Sequence, residues 1–165
     1  MKAYVTLTLL LSIILVHAKD TSEEDAKVHQ ILTAVVRDVL FSDHHKESRN
    51  VYGTEGDQTI ILLNGTGFLD QPPVSWPEEF TPQIAGFTFI RGRQEAAHES
   101  HNRRLAIQLF RLSYEMDSQS PFNIIIAIMN GGGSKNGSVM GGTTIWYSLS
   151  KKGDKWVVQY RGGVS

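Results

Sequence analysis

From Val28 to Leu40 the apolar residues Val28, Ile31, Leu32, Val35, Val39 and Leu40 recur at spacings of three and four, with Lys27, Gln30, Arg37 and Asp38 largely off that stripe. This is the period of a helix that is apolar along one side, and such a helix depends on whatever covers that side. Thr21 and Ser22 precede Glu23, Glu24 and Asp25. They offer a side-chain oxygen to the free amides of a first turn and negative charge to the positive end of the helix dipole. Residues 93–102 are polar apart from Ala96 and Ala97 and read as a loop. The other apolar residues of the chain beyond the helix come in short runs rich in β-branched and aromatic side chains, which is strand composition.

Thr59 to Leu63 is short and bounded by Asp57 and by Asn64-Gly65, so it reads as a buried strand, and Phe87 to Ile90 as another. Leu105 to Tyr114 and Phe122 to Met129 flank Asp117-Ser118-Gln119-Ser120-Pro121, which is turn chemistry, and are expected to pair as antiparallel neighbours. Thr143 to Leu149 and Lys155 to Tyr160 flank Lys151-Lys152-Gly153-Asp154, the pattern of a terminal β-hairpin in which Trp146, Tyr147, Trp156 and Tyr160 face cross-strand neighbours. Between these elements, Ser42 to Asn50 has no apolar residue and reads as a solvated connection. Pro72, Pro73, Pro77 and Pro82 hold residues 71–82 extended, with Trp76 and Phe80 tacking that loop to the body. The expected fold is α+β: an N-terminal amphipathic helix packed on a mainly antiparallel sheet, closing in a C-terminal β-hairpin.

Ahead of the helix, Lys2 is followed by an apolar run from Tyr4 to Val16, interrupted by Thr6, Thr8 and Ser12, and then by Val16-His17-Ala18. A basic start, an apolar middle and small residues at −3 and −1 are the layout of a secretory signal peptide cut before Lys19. The run is shorter than the ~20 residues that span a bilayer. Residues 1–18 are therefore expected to leave as a signal peptide and residues 19–165 to fold as a single domain. The expected location is periplasmic or extracellular, with no membrane span in the mature chain. No cysteine is present, which excludes disulfides, thiol catalysis and Cys-ligated metal sites. The formal net charge is −1 and becomes one unit more acidic when Lys2 leaves. The basic groups Arg91 with Arg93 and Arg103 with Arg104 are each interrupted or followed by apolar residues, so the chain lacks the clustered basic face that phosphate binding needs and nucleic acid is not an expected partner.

The early helix, together with Thr143-Thr144-Ile145-Trp146-Tyr147 and Lys155-Trp156-Val157-Val158-Gln159-Tyr160, resembles the cystatin-like and NTF2-like α+β folds. The three N-terminal helices usual in NTF2-like proteins are not in the pattern. The run from Asn130 to Gly137 with the hairpin is similar to uncharacterised exported bacterial proteins. The first resemblance implies a cone-shaped sheet that can enclose a pocket, and the second implies export. In a bacterial source the sequons Asn64-Gly65-Thr66 and Asn136-Gly137-Ser138 would be coincidental.

The candidate ligand site in the sequence is the loop from Asn130 to Gly142, where Gly131, Gly132, Gly133, Gly137, Gly141 and Gly142 leave backbone amides free to approach an anion or a sugar. Asn130, Ser134, Lys135, Asn136 and Ser138 would supply the donors and a cation. The P-loop pattern fails, because Lys135 precedes Asn136 and a strand follows. A G-x-S-x-G nucleophile elbow is missing as well. His98-Glu99-Ser100-His101 is one residue short of the H-E-x-x-H zinc pattern, so these histidines and the pair His44-His45 read as exposed loop residues and no metal site is expected. Asp57, Glu78, Glu79, Glu95, Glu99, Glu115 and Asp117 show no pairing that marks acid–base catalysis, and Trp76, Trp146 and Trp156 are expected to pack rather than to stack on a ligand.

No catalytic motif is recognised and no cofactor is expected. The reading is an exported, non-enzymatic binding or interaction module with an unknown small-molecule or protein partner; the alternative is a small hydrolase or isomerase with a pocket inside an NTF2-like cone. Protein recovered from the exported fraction should have an intact mass that begins at Lys19, and a mass that retains residues 1–18 would remove the signal-peptide assignment.

Overall fold

The computed structural model describes residues 25–53, 56–65, 73–92, 104–114, 122–130, 142–153 and 155–164. Helix α1 covers 25–41 and is followed by a 3-10 turn, Asp43–His45, and a short helix α2, Lys46–Tyr52. The strands are β1 Thr59–Asn64, β2 Thr88–Gly92, β3 Leu105–Tyr114, β4 Phe122–Asn130, β5 Gly142–Lys152 and β6 Lys155–Val164. Among the described residues they form one six-stranded sheet in the order β2-β1-β3-β4-β5-β6.

The sheet is mixed, which corrects the expectation of a mainly antiparallel one. β1 runs parallel to β2 on one side and to β3 on the other, while β3, β4, β5 and β6 follow as antiparallel neighbours. Ile60, Ile61, Leu62 and Leu63 are all buried, so both faces of β1 are covered. The apolar run marks an interior strand and does not set its direction, since β4, with Ile124 to Met129 all buried, pairs antiparallel on both sides; the connections do. The connection from Gly65 to Phe87 exceeds the dozen or so residues that a parallel return requires. Extra residues at Phe110 in β3 and Arg161 in β6 break the register and add to the curl of the sheet.

Ile60 and Leu62 point into the main core with Ile107, Leu109, Ile124, Ile126, Ile128, Ile145, Tyr147 and Leu149. Ile61 and Leu63 point the other way, into a smaller cluster with Ala106, Ala127 and Met129. Helix α1 contributes Ile31, Leu32, Val35, Val36, Val39 and Leu40 to the main core. At about 1.5 to 3 kcal/mol for each fully buried aliphatic side chain, this stripe is a principal stabilising element of the fold.

One helix laid on one sheet face does not describe the result. Six strands at about 4.8 Å spacing span roughly 24 Å, and a helix is only about 10 Å across. Other segments complete the cover. Trp76, Phe80 and Ile84 from the proline-rich stretch are buried in the same core. Trp76 and Phe80 stack with ring centroids 5.2 Å apart, and Trp76 Nε1 donates to the Leu63 carbonyl at 2.9 Å. Arg91 on β2, the end of the sheet among the described residues, donates to the carbonyls of Trp76, Pro77 and Phe80 and so clamps the stretch to the sheet. Where it leaves β1 the chain passes so close to β3 that a Cβ at Gly65 would strike the Leu109 carbonyl.

The run Ser42 to Asn50, expected as a solvated connection, forms the 3-10 turn and most of α2. Polar capping explains it. The Ser42 N–H donates to the Asp38 carbonyl at 2.9 Å, Ser42 Oγ accepts from the His44 N–H at 3.3 Å, and Arg49 donates at 2.7 Å to the carbonyls of both Val39 and Ser42. A guanidinium thus satisfies carbonyls that the end of α1 leaves without helical partners.

Placing a carboxylate in the α1 stripe should undo the domain. Ile31→Asp and Val35→Asp each put an unpaired charge at a fully buried position and should cost about 3 to 5 kcal/mol, a large part of a typical domain's stability. Circular dichroism melts of both variants check this, and near-native melting would contradict the burial of the stripe.

Candidate functional site

Two arrangements of side chains stand out, and they share Asp38. The first is a buried polar cluster that joins α1, the 3-10 turn and β5. His45 Nε2 lies 3.0 Å from Asp38 Oδ2 and 2.7 Å from the Tyr147 hydroxyl. His45 is 2% exposed and Tyr147 1%, whereas the Asp38 side chain retains 24% of its surface. Burial acts to raise the Asp38 carboxyl, but hydrogen bonds from His45 and Tyr147 and the fields of His45 and His44 outweigh it and hold the carboxyl below its usual value. An ionised Asp38 requires a hydrogen on the Nε2 that faces it. The Tyr147 hydroxyl hydrogen-bonds to the imidazole and donates to the Asp38 carboxylate. His45 is therefore not the exposed loop residue expected from its polar surroundings. Its neighbour His44 is exposed.

The second arrangement is a groove of about 620 Å³ between α1 and β6. Ala34, Phe41, Trp156 and Val158 supply apolar surface, Arg37 and Lys155 supply charge, and Asp38 reaches it from the polar cluster behind. Phe41 is 61% exposed, with its ring set edge-on to Phe87 at 5.8 Å. The Lys27 ammonium stands 5.7 Å from the centre of the Trp156 ring, within cation–π range. The helix period explains the placement: Ala34, Arg37, Asp38 and Phe41 lie three and four apart on the flank of α1 beside the core stripe.

Of the loop residues singled out in the sequence, Asn130 ends β4, where its backbone pairs with Leu105. Ser134, Lys135, Asn136 and Ser138 lie outside the described residues, as do His98, His101, Glu95, Glu99, Glu115 and Asp117. The loop is anchored at the Gly142 end of β5, and the groove sits near the other end, beside Lys155. Next to the loop anchor, Thr143 lines a cavity of about 250 Å³ with His44, Glu47, Ser48, Val51 and Tyr52.

The remaining candidates have structural partners. Asp57 accepts from the Thr59 N–H at 2.8 Å, and this bond is the main reason its carboxyl sits below the usual value. Arg104 Nε approaches Asp57 to 3.3 Å as an ion pair without hydrogen-bond geometry. Glu78 and Glu79 are exposed on a turn, Trp76 is buried, and Trp146 and Trp156 are half-buried. Among the described residues no group of three or more His, Asp or Glu is placed to hold a metal ion, and no helix is long and apolar enough to cross a membrane. Sequence reasoning passed over the Asp38–His45–Tyr147 cluster. The sole signal was a histidine within reach of the end of an amphipathic helix.

Comparison with known proteins finds no matching family model, no matching curated protein and no matching solved structure.

The cluster makes stability depend on pH with a definite sign. The folded Asp38 carboxyl lies below its unfolded value, so its contribution is complete above the ordinary carboxylate range, near pH 4, and is lost as pH falls through the folded value. The stability gap between wild type and Asp38→Asn should therefore be largest at neutral pH and close under acid, as urea unfolding at both pH values would measure. Tyr147→Phe, which removes a buried hydroxyl from His45 and Asp38, should cost about 1 to 2 kcal/mol at neutral pH.

Proposed function

We propose that the chain is an exported, non-enzymatic binding module that takes its ligand in the groove between α1 and β6. We read β6 with β5 as a closing hairpin that forms the groove's second wall. The observation that carries this reading is the division of labour at Asp38. The polar groups that could do chemistry are buried and satisfied by one another, while the concavity in front of them is lined by apolar and cationic side chains. Apolar surface with a few placed polar groups is the ordinary make-up of a ligand site.

The hydrolase or isomerase alternative fits these groups less well. The member of the cluster that opens to the groove is a carboxylate held below its usual range, which makes it a weak general base at neutral pH. The imidazole that would serve better is 2% exposed, with its Nε2 already engaged on two sides. The glycine-rich loop with Asn130, Ser134, Lys135, Asn136 and Ser138 stands as the competing seat.

A thermal-shift screen of small molecules and peptides on residues 19–165 should give hits that raise the melting temperature, since a ligand that binds the native state stabilises it. Replacing 131–141 with a tight turn should preserve the fold, because loop-closure entropy changes slowly with length, and should leave those shifts intact. Loss of the shifts on a folded, shortened protein would move the seat to the loop. Steady hydrolysis of a chromogenic ester that disappears in His45→Ala would replace the binding reading with the enzymatic one.

A further inference from the structure

The chain as a whole is close to neutral, yet its cations gather around Trp156. Lys27 stands over the Trp156 ring. Lys151 is the cross-strand partner of Trp156, and Lys152 is that of Lys155. Directly opposed residues on antiparallel strands project from the same face, so Lys151 emerges beside Trp156 on the face that carries Tyr147 and Leu149, while Lys152 and Lys155 are rooted on the other face at the strand end, from where Lys155 reaches the groove. Arg37 faces this group from the helix, across the groove that it lines with Lys155. Arg37, Lys151, Lys152 and Lys155 are all exposed.

Among the described residues Asp38 is the acidic side chain on the groove wall, and its charge is directed inward to His45 and Tyr147. The groove therefore presents positive charge at its rim and the side chains of Ala34, Phe41 and Val158 within.

We infer that the groove docks an acidic peptide segment that alternates carboxylates with aromatic or aliphatic side chains. Charge complementarity selects an anion and raises its rate of encounter. The apolar surface selects among anions: an exposed phenylalanine offers little to a hydrated polysaccharide but a contact worth burying to a peptide side chain. The Trp156 ring already has a cation over it, which argues against a sugar stacked on the tryptophan. This inference rests on the binding reading and gives that reading a partner.

The test uses a short blocked peptide alternating glutamate and phenylalanine, a matched peptide with glutamine for glutamate, and a polyuronate, each titrated against residues 19–165 by calorimetry. The glutamate peptide should bind saturably, at least about tenfold tighter than the glutamine peptide, and should weaken as salt screens the charges. The double variant Arg37→Glu/Lys155→Glu should lose about tenfold or more while its circular dichroism spectrum is unchanged, and Lys46→Glu, an exposed reversal on α2, should bind as wild type does. Equal affinity for the two peptides, tighter binding of the polyuronate, unchanged affinity in the double variant, or no binding of the glutamate peptide would each overturn the inference. If the peptide fails while the thermal-shift screen gives hits of another class, the binding reading stands and only the acidic partner falls. If both fail, the binding reading falls with it.

Discussion

The fold turns on burying β1 on both sides. Ile60 and Leu62 belong to the main core and Ile61 and Leu63 to the smaller one, so this strand must be interior and must have partners on both edges. β2 and β3 meet that demand as parallel neighbours, and the antiparallel succession from β3 to β6 then extends the sheet in a single direction. A sheet grown outward from a doubly buried strand is too wide for one helix. That is why the proline-rich stretch is drawn in through Trp76 and Phe80 and held by Arg91.

At the other end of the main core the polar cluster has the opposite character. Apolar packing sets how deeply α1 is buried but leaves its end free to slide, because dispersion and burial carry little direction. Hydrogen bonds of His45 to Asp38 and to Tyr147, and from Arg49 to the carbonyls of Val39 and Ser42, are directional and fix where α1 stops relative to β5. Removing any one member strands buried polar atoms, so the cluster acts as a unit. Positioning of this kind also determines the groove. Ala34, Arg37 and Phe41 line the groove on the flank of α1 that also carries Asp38, which His45 and Tyr147 tie back to β5.

Under the proposed binding reading, this arrangement separates rigidity from recognition. The ionisable groups with depth and partners hold the scaffold, and the exposed cations and Phe41 remain at the rim, where they cost the fold little.

The sequence by itself determined the elements that depend on local periodicity. The three- and four-residue spacing from Val28 to Leu40 marked α1, because helix geometry alone puts those positions on one side. The short β-branched runs marked the strands. The unbroken apolar run from Ile60 to Leu63 already carried the signature of a strand covered on both faces, although its direction relative to its neighbours was not in it. Only the tertiary structure decided the parallel pairing of β1, the helical form of the polar run after Phe41, the burial of His45, and the meeting of Arg37 with Lys155 and Trp156 across the groove. The reason is physical. Periodicity is imposed by the backbone within a few residues. By contrast, the partner that makes a buried histidine affordable, Tyr147, lies 102 residues away in the chain, and nothing local to His45 encodes which strand will stand beside it.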